Sequence, residues 1–130
     1  EFNYSDRFSG FSLFVSKANR RHKESLRFAS LIADGLLEAE LKFSMHHAEK
    51  IKGENRELLD DKRGIYEFTN LRVLRGTTAP AVLLEAGIIL NREDETALAS
   101  PERRRLIAKA VSKAAYAVCT EKTADGLALR

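Results

Sequence analysis

The chain has one cysteine, Cys119, in 130 residues, so no internal disulfide can form and no CxxC metal pair exists. Cysteine usage therefore says nothing about the compartment. No apolar run reaches the roughly 18 residues that a transmembrane helix needs. No secretory hydrophobic region opens the chain, and its first residue is Glu1 rather than Met. The N-terminus reads as cut, which leaves open an exported protein whose signal has been removed. Charge of one sign is also scarce: 22 Lys and Arg against 19 Asp and Glu leave +3. That is too mild to announce a nucleic acid. The two basic clusters, Arg20-Arg21-His22-Lys23 and Arg103-Arg104-Arg105, read as solvated helix faces. There is no GxSxG elbow for Ser/His/Asp catalysis and no Gly-rich loop after a strand to cradle phosphate. No internal repeat, low-complexity segment or linker divides the chain.

What is present is a globular composition, 44% hydrophobic and 32% charged, long enough to bury the core of one domain or part of one. Residues 1–9 have no period and read as a loop. Gly10 to Ser16 alternates, with Phe11, Leu13 and Val15 on one side and Ser12, Phe14 and Ser16 on the other. That is a strand, and Phe14 implies cover on both faces. A helix follows over about His22–Leu41, since Leu26, Ala29, Ile32, Ala33, Leu36 and Leu37 keep the 3.6 period and Phe28 and Leu31 widen it. Gly35 inside that pattern argues against an unbroken helix. A strand and then a helix make half of a βαβ unit.

Lys42 to Gly64 is a weakly periodic excursion with a helical turn expected around Glu54–Leu59. Long irregular loops in compact domains are often functional. Leu71–Arg75 reads as a short strand, and Pro80 starts the next one, completed by Val82 to Ala86. Ser100 and Pro101 are an N-cap and first helical residue for a last helix with Leu106, Ile107, Ala110, Val111, Ala114 and Val118 on one face. Thr120 to Arg130 reads as a fraying polar tail.

Two features carry chemistry. Thr78 to Asn91 is the most apolar segment and reads as a strand buried on both faces, yet Glu85 sits in its middle. An unpaired buried carboxylate costs several kcal/mol. Glu85 must be protonated, paired, bound to something, or placed where the strand ends at a cleft; a structural Glu turned to solvent is the plain alternative. His46-His47-Ala48-Glu49 is the metal candidate by residue type, but adjacent histidines diverge in regular structure and HxxxH is absent. That spacing favours a polar loop with two solvated histidines, and leaves a substrate-facing or zinc-facing role for His47 open. His22 reads as a surface residue at a helix start. Glu54, Asp60, Asp61 and Arg63 could line a polar cleft.

The run Pro80-Ala81-Val82-Leu83-Leu84-Glu85-Ala86-Gly87-Ile88-Ile89-Leu90-Asn91 resembles the last strand of the zinc-dependent N-acetylmuramoyl-L-alanine amidases, cell-wall hydrolases that cut peptide from glycan. Arg92 through Leu98 and Ser100-Pro101-Glu102 continue that pattern. Upstream, Arg63-Gly64-Ile65, Leu71-Arg72-Val73-Leu74-Arg75, and Gly10 to Ser16 with Asn19, Ser25-Leu26 and Ala29 are similar to further family segments in the same order. The similarity spans about residues 10–118. Gly87-Ile88 departs from the usual Gly-Phe.

This resemblance implies an α/β, doubly wound, mostly parallel sheet with flanking helices. It implies that residues 1–130 are the C-terminal part of one catalytic domain, with a core over 10–118, an insertion or long loop over 42–62 and a tail over 120–130. It implies zinc, but the family's zinc ligands precede the Gly10–Ser16 strand, so no metal ligand is expected among these residues. Glu85 matches the catalytic glutamate; Arg63 and Asn91 are candidate substrate contacts. The implied reaction is hydrolysis of the amide between N-acetylmuramic acid and L-alanine, with Glu85 moving protons between a zinc-activated water and the leaving amine. A partly buried site would raise the pKa of Glu85, which suits that work. The stretch alone would be inactive. Peptidoglycan is the implied partner, with an activator protein left open and neither nucleic acid nor a membrane span expected; the implied place is exported, in the periplasm or cell envelope. The 42–62 excursion carries a regulatory hypothesis, since in some relatives an insertion near this place plugs the active site. Two rivals stand beside this reading: a non-catalytic wall-binding or structural α/β domain without its own metal site, and a nucleic-acid-binding module, which the lack of clustered basic and aromatic residues on one strand face disfavours.

Overall fold

A computed structural model describes residues 3–121; the expected frayed tail from residue 122 onward lies outside them. Four strands, β1 Ser12–Val15, β2 Leu58–Asp60, β3 Ile65–Glu67 and β4 Leu83–Glu85, form one sheet in the order β2-β3-β1-β4. Only β1 and β3 run parallel; β4 is antiparallel to β1 and β2 is antiparallel to β3. The sheet is therefore mixed, which corrects the expectation of a mostly parallel, doubly wound one. For β2 and β3 the physical reason is their connection: residues 61–64 are enough only for a hairpin, whereas a parallel step needs a crossover of about a dozen or more.

Helices α1 (His22–Glu38) and α4 (Pro101–Thr120) cover one face of this sheet. Phe11, Leu13 and Val15 meet Ala29, Ile32, Ala33 and Leu36 of α1 there, with Ala110 and Ala114 of α4 behind. Gly35 does not break α1; a Cβ at this position would stand 3.0 Å from Ala110 Cβ, so the glycine is what lets α4 approach. The opposite face holds Phe14, Tyr66 and Leu74, joined by Leu58, Phe68, Leu71 and Leu83. Strand β1 is buried on both sides, as its alternation implies.

Three local expectations fail for definable reasons. Leu71–Arg75 is not a strand: Arg72–Arg75 form the short helix α2, with Leu74 N–H and Arg75 N–H both donating to Leu71 C=O. A helical step brings Leu71 and Leu74 onto one side, where they join Phe14 and Tyr66, and leaves Val73 exposed. No helical turn occupies Glu54–Leu59. Leu58 faces the Phe14 side and Leu59 the helix side, the alternation of a strand, although only two apolar residues signal it. Strand β4 is half-buried rather than enclosed on both faces, because among the described residues it lies at the edge of the sheet. Strand β3 and the helix α3 (Arg92–Ala99) were not anticipated.

The approach to β4 is pinned by two buried polar side chains. Asn19 Nδ2 donates to Leu74 C=O at 2.7 Å and Ala79 C=O at 3.2 Å, and Ser25 Oγ accepts from Ala81 N–H at 3.0 Å. Past β4, Asp94 on α3 accepts from both Gly10 N–H and Ile88 N–H at 2.8 Å. Gly87 leaves room for this, since a Cβ there would come within 3.2 Å of the Asp94 carboxylate. The strand that carries Glu85 is thus held at both ends.

Candidate active site

Register decides where Glu85 points. Ser12 pairs with Glu85, Leu13 with Leu84 and Phe14 with Leu83. Leu84 joins the helix-side core and Leu83 the Phe14 side, so the pleat turns Glu85 to the Phe14 side. There, 47% of its side chain remains exposed. Its partner comes from the excursion. A single 3-10 turn, His46–Ala48, lays His47 over the sheet, and His47 Nε2 stands 2.9 Å from Glu85 Oε2. The other ring nitrogen, Nδ1, stands 2.9 Å from Glu54 Oε2. One imidazole therefore joins the excursion to the end of β4.

His47 is not solvated, as the spacing suggested; its side chain is 12% exposed. Its ring meets Phe14 edge-on at 4.8 Å and Tyr66 at 5.7 Å. His46 is packed as well, 4.8 Å from the Phe8 ring and 5.0 Å from His47. The excursion is tied down by Ser44 N–H to Phe11 C=O at 2.7 Å, Tyr66 Oη–H to Ser44 C=O at 2.7 Å and Arg56 N–H to His47 C=O at 2.8 Å. Burial pushes the Tyr66 phenol up to about 12, so it stays a donor. Sequence spacing missed this pair because 38 residues separate its members; the one available signal was the coexistence of a carboxylate in an apolar run and histidines in an irregular loop.

Electrostatics corrects a further expectation. The Glu85 carboxyl lies below its ordinary range, chiefly because His47 hydrogen-bonds to it, with the charges of His47, His46 and Arg56 adding; burial pulls the other way and loses. His47 is raised, first by its hydrogen bond to Glu85 and also by Glu54, again against burial. Opposite shifts on the two partners describe a single ion pair. An ionised carboxylate at the end of a strand, half open to solvent, is equipped to accept a proton.

The other two predicted site residues lie elsewhere and are occupied. Arg63 is bound to Asp34 of α1 at 2.7 Å and to Asp60 at 3.0 Å, which hold its guanidinium further above its ordinary value. Asn91 is 4% exposed and caps α3, its Oδ1 accepting from Glu93 N–H at 3.0 Å and Asp94 N–H at 3.1 Å, while Nδ2 donates to Phe8 C=O. Neither makes a hydrogen bond to Glu85 or His47. His22 is also more than a surface residue: its Nδ1 is 3.0 Å from Ser16 C=O.

His46, His47 and Glu54 are the group among the described residues with metal-ligand atoms together, all within 4.8 Å of one another. Tetrahedral zinc holds four ligands at about 2.0–2.1 Å, hence roughly 3.4 Å apart. Here His46 Nε2 is 3.9 Å from Glu54. Both His47 nitrogens already face carboxylates. The buried nitrogen without a hydrogen bond, His46 Nδ1, lies on the side of Glu49 at 3.6 Å. As placed, the three residues offer three ligand atoms, with His46 set wider from Glu54 than a tetrahedral zinc would draw it.

The described sheet thus carries, at the end of its edge strand β4, a half-exposed carboxylate held by a packed histidine. The chain belongs to the N-acetylmuramoyl-L-alanine amidase family, whose model matches residues 2–116. Among solved structures it is similar to the apo N-acetylmuramyl-L-alanine amidase Ami1 of Mycobacterium abscessus, with 26% identity and a TM-score of 0.66 over 85% of this chain and 48% of that one. Ami1 of Mycobacterium smegmatis matches at 20% identity and 0.68, over 88% of this chain and 48% of that one. AmiC2 of Nostoc punctiforme matches at 20% and 0.58, over 86% and 51%. The last two likenesses carry the fold alone. The chain thus spans about half the length of the solved amidases it matches. A comparison with curated proteins matched none of them.

Proposed function

We propose that this chain supplies one half of a peptidoglycan amidase site, in which the protein cleaves the amide between N-acetylmuramic acid and L-alanine and Glu85 is the acid/base residue. The observation that carries the proposal is an ionised Glu85, held at Oε2 and half open to solvent; the resemblance of Pro80 to Asn91 to the family's last strand supports reading it as the catalytic glutamate. A zinc ion, which enzymes of this family use, would polarise the amide carbonyl and lower the pKa of bound water to about 7. The contribution of this chain's own residues is proton handling. Glu85 accepts a proton from the attacking water and delivers it to the nitrogen of the leaving L-alanine amine.

Arg63 and Asn91 serve the frame in this proposal rather than the substrate, since their polar atoms are occupied by protein groups. Peptidoglycan as substrate places the action at the cell envelope; no described helix is long and apolar enough to cross a membrane. The test is Glu85→Gln in the full-length protein, assayed for peptide released from purified peptidoglycan. Loss of activity on the order of 10²–10⁴-fold, the usual share of general acid/base catalysis, with unchanged circular dichroism is expected. Undiminished release would overturn the assignment. Full-length protein that bound peptidoglycan yet released nothing would favour a non-catalytic wall-binding domain instead.

A further inference from the structure

We infer that His47 is a positioning residue for Glu85: clamped between Glu54 and Glu85, it fixes which oxygen of Glu85 is tied down and which is offered to the reacting water. The inference deepens the reading of Glu85 as acid/base and rests on it.

The ring has little freedom. Phe14 and Tyr66 meet it edge-on, its backbone carbonyl is held by Arg56 N–H, and its two nitrogens each stand 2.9 Å from a carboxylate oxygen. Ionised carboxylates only accept hydrogen bonds, so both bonds form together only when both ring nitrogens carry hydrogen. Glu54 therefore stabilises the form of the ring that donates to Glu85. The bond takes Oε2 of Glu85; among the described residues nothing donates to Oε1, and the side chain is 47% exposed. A carboxylate held by one oxygen presents the other in a fixed direction, which is the geometric condition for efficient proton transfer.

Glu54 has its own support. Its N–H donates to Ile51 C=O at 3.0 Å across a turn containing Gly53 at φ +97°. The excursion therefore has a role in the site that does not require it to bind metal. The charged and titratable groups facing His47 are Glu54 and His46 from the excursion, Glu85 from β4 and Tyr66 from β3, with Arg56 acting on Glu85. Of these, only Glu85 and Glu54 hydrogen-bond to the His47 ring.

The test uses the full-length protein and four variants, His47→Ala, His47→Gln, Glu54→Gln and Glu85→Gln, with kcat and KM on peptidoglycan fragments followed across pH. With His47 gone, the largest influence holding the Glu85 carboxyl down is lost while burial still pushes it up. The acidic limb of kcat in His47→Ala should therefore move upward, with kcat down about tenfold or more at neutral pH and KM within about threefold. His47→Gln keeps a neutral donor near Nε2 and should recover part of kcat. Glu54→Gln should shift the limb the same way by less. If Glu85→Gln is inactive while His47→Ala and Glu54→Gln keep the wild-type kcat and limb, the inference fails and the reading of Glu85 stands. If Glu85→Gln is active, that reading itself fails. Should His47→Ala not fold, Glu54→Gln and His47→Gln decide: an unmoved limb in both overturns the inference, and a moved limb supports it.

Discussion

The two faces of the sheet are built on opposite principles. The helix side is apolar and close-packed, with Leu13, Val15, Ile65 and the small residues of α1 and α4 meeting at full burial. The other side layers rings over the strands: Phe14 and Tyr66 stack, both meet His47 edge-on beside an ionised glutamate, and the cover is an irregular excursion rather than a helix. Both faces use the same strand, β1, whose alternate residues serve them in turn. The lesson is a division of labour: one face supplies the stability that allows the other to hold charge near apolar surface.

That division can be broken most forcefully from the helix side. Leu36 is fully buried and belongs to the helix-side cluster, not to the Phe14 side where His47 and Glu85 meet. Leu36→Ala should cost about 2–5 kcal/mol of stability, the usual range for a large-to-small core change, read from denaturant unfolding of the full-length protein. Amidase activity per folded molecule should stay within about twofold at temperatures where the variant is folded. A comparable loss of activity per folded molecule would mean that the two faces are coupled through β1.

A smaller effect should come from Asn91, which lies just past the site strand and was a candidate substrate contact. Its side chain caps α3 and holds Phe8, whose ring packs on His46. Asn91→Ala should cost about 1–2 kcal/mol, the range for losing such a cap, and leave KM for peptidoglycan fragments unchanged. A raised KM with intact stability would return Asn91 to the substrate.

Legibility in the sequence follows the same divide. The α1 stripe, the Ser100–Pro101 cap and the two-sided burial of β1 were readable because each is a local pattern with a fixed period. Strand β3 is not legible because it is three residues long, with Ile65 and Tyr66 both buried and Glu67 half-buried, too short a run to show alternation. The region 71–75 suggests a strand rather than the observed helix because Leu71, Val73 and Leu74 fit two templates in a run too short to separate them. Glu85 was singled out by its chemistry, an acid in an apolar run, and the family segments around it gave it a role. The roles of His47 and Glu54 are not legible, since no periodicity encodes a meeting of His47 with Glu85 across 38 residues or with Glu54 across seven irregular ones. Burial alone pointed to a raised carboxyl; the neighbour that reverses the sign is visible only in three dimensions.

The smallest effect is the most specific to the charged face. His47 is raised above its ordinary 6.5 in the folded protein, so its contribution to stability is fully present below pH 6.5 and is lost as pH rises through the raised value. Glu85 is lowered from its ordinary 4.5, so its contribution is present above pH 4.5 and is lost as pH falls through the lowered value. The pair therefore stabilises most between pH 4.5 and 6.5. Solvent at the half-exposed carboxylate should keep the effect to roughly 1 kcal/mol or less. The stability difference between wild type and His47→Gln, measured by denaturant unfolding at a series of pH values, should peak in that window and narrow on both sides. Leu36→Ala offers the contrast: the leucine lies fully buried in the apolar helix-side cluster, so its stability deficit should be flat across the same range. A flat difference for His47→Gln as well would mean that His47 and Glu85 do not form an ion pair in solution, and that the two faces differ in packing but not in charge.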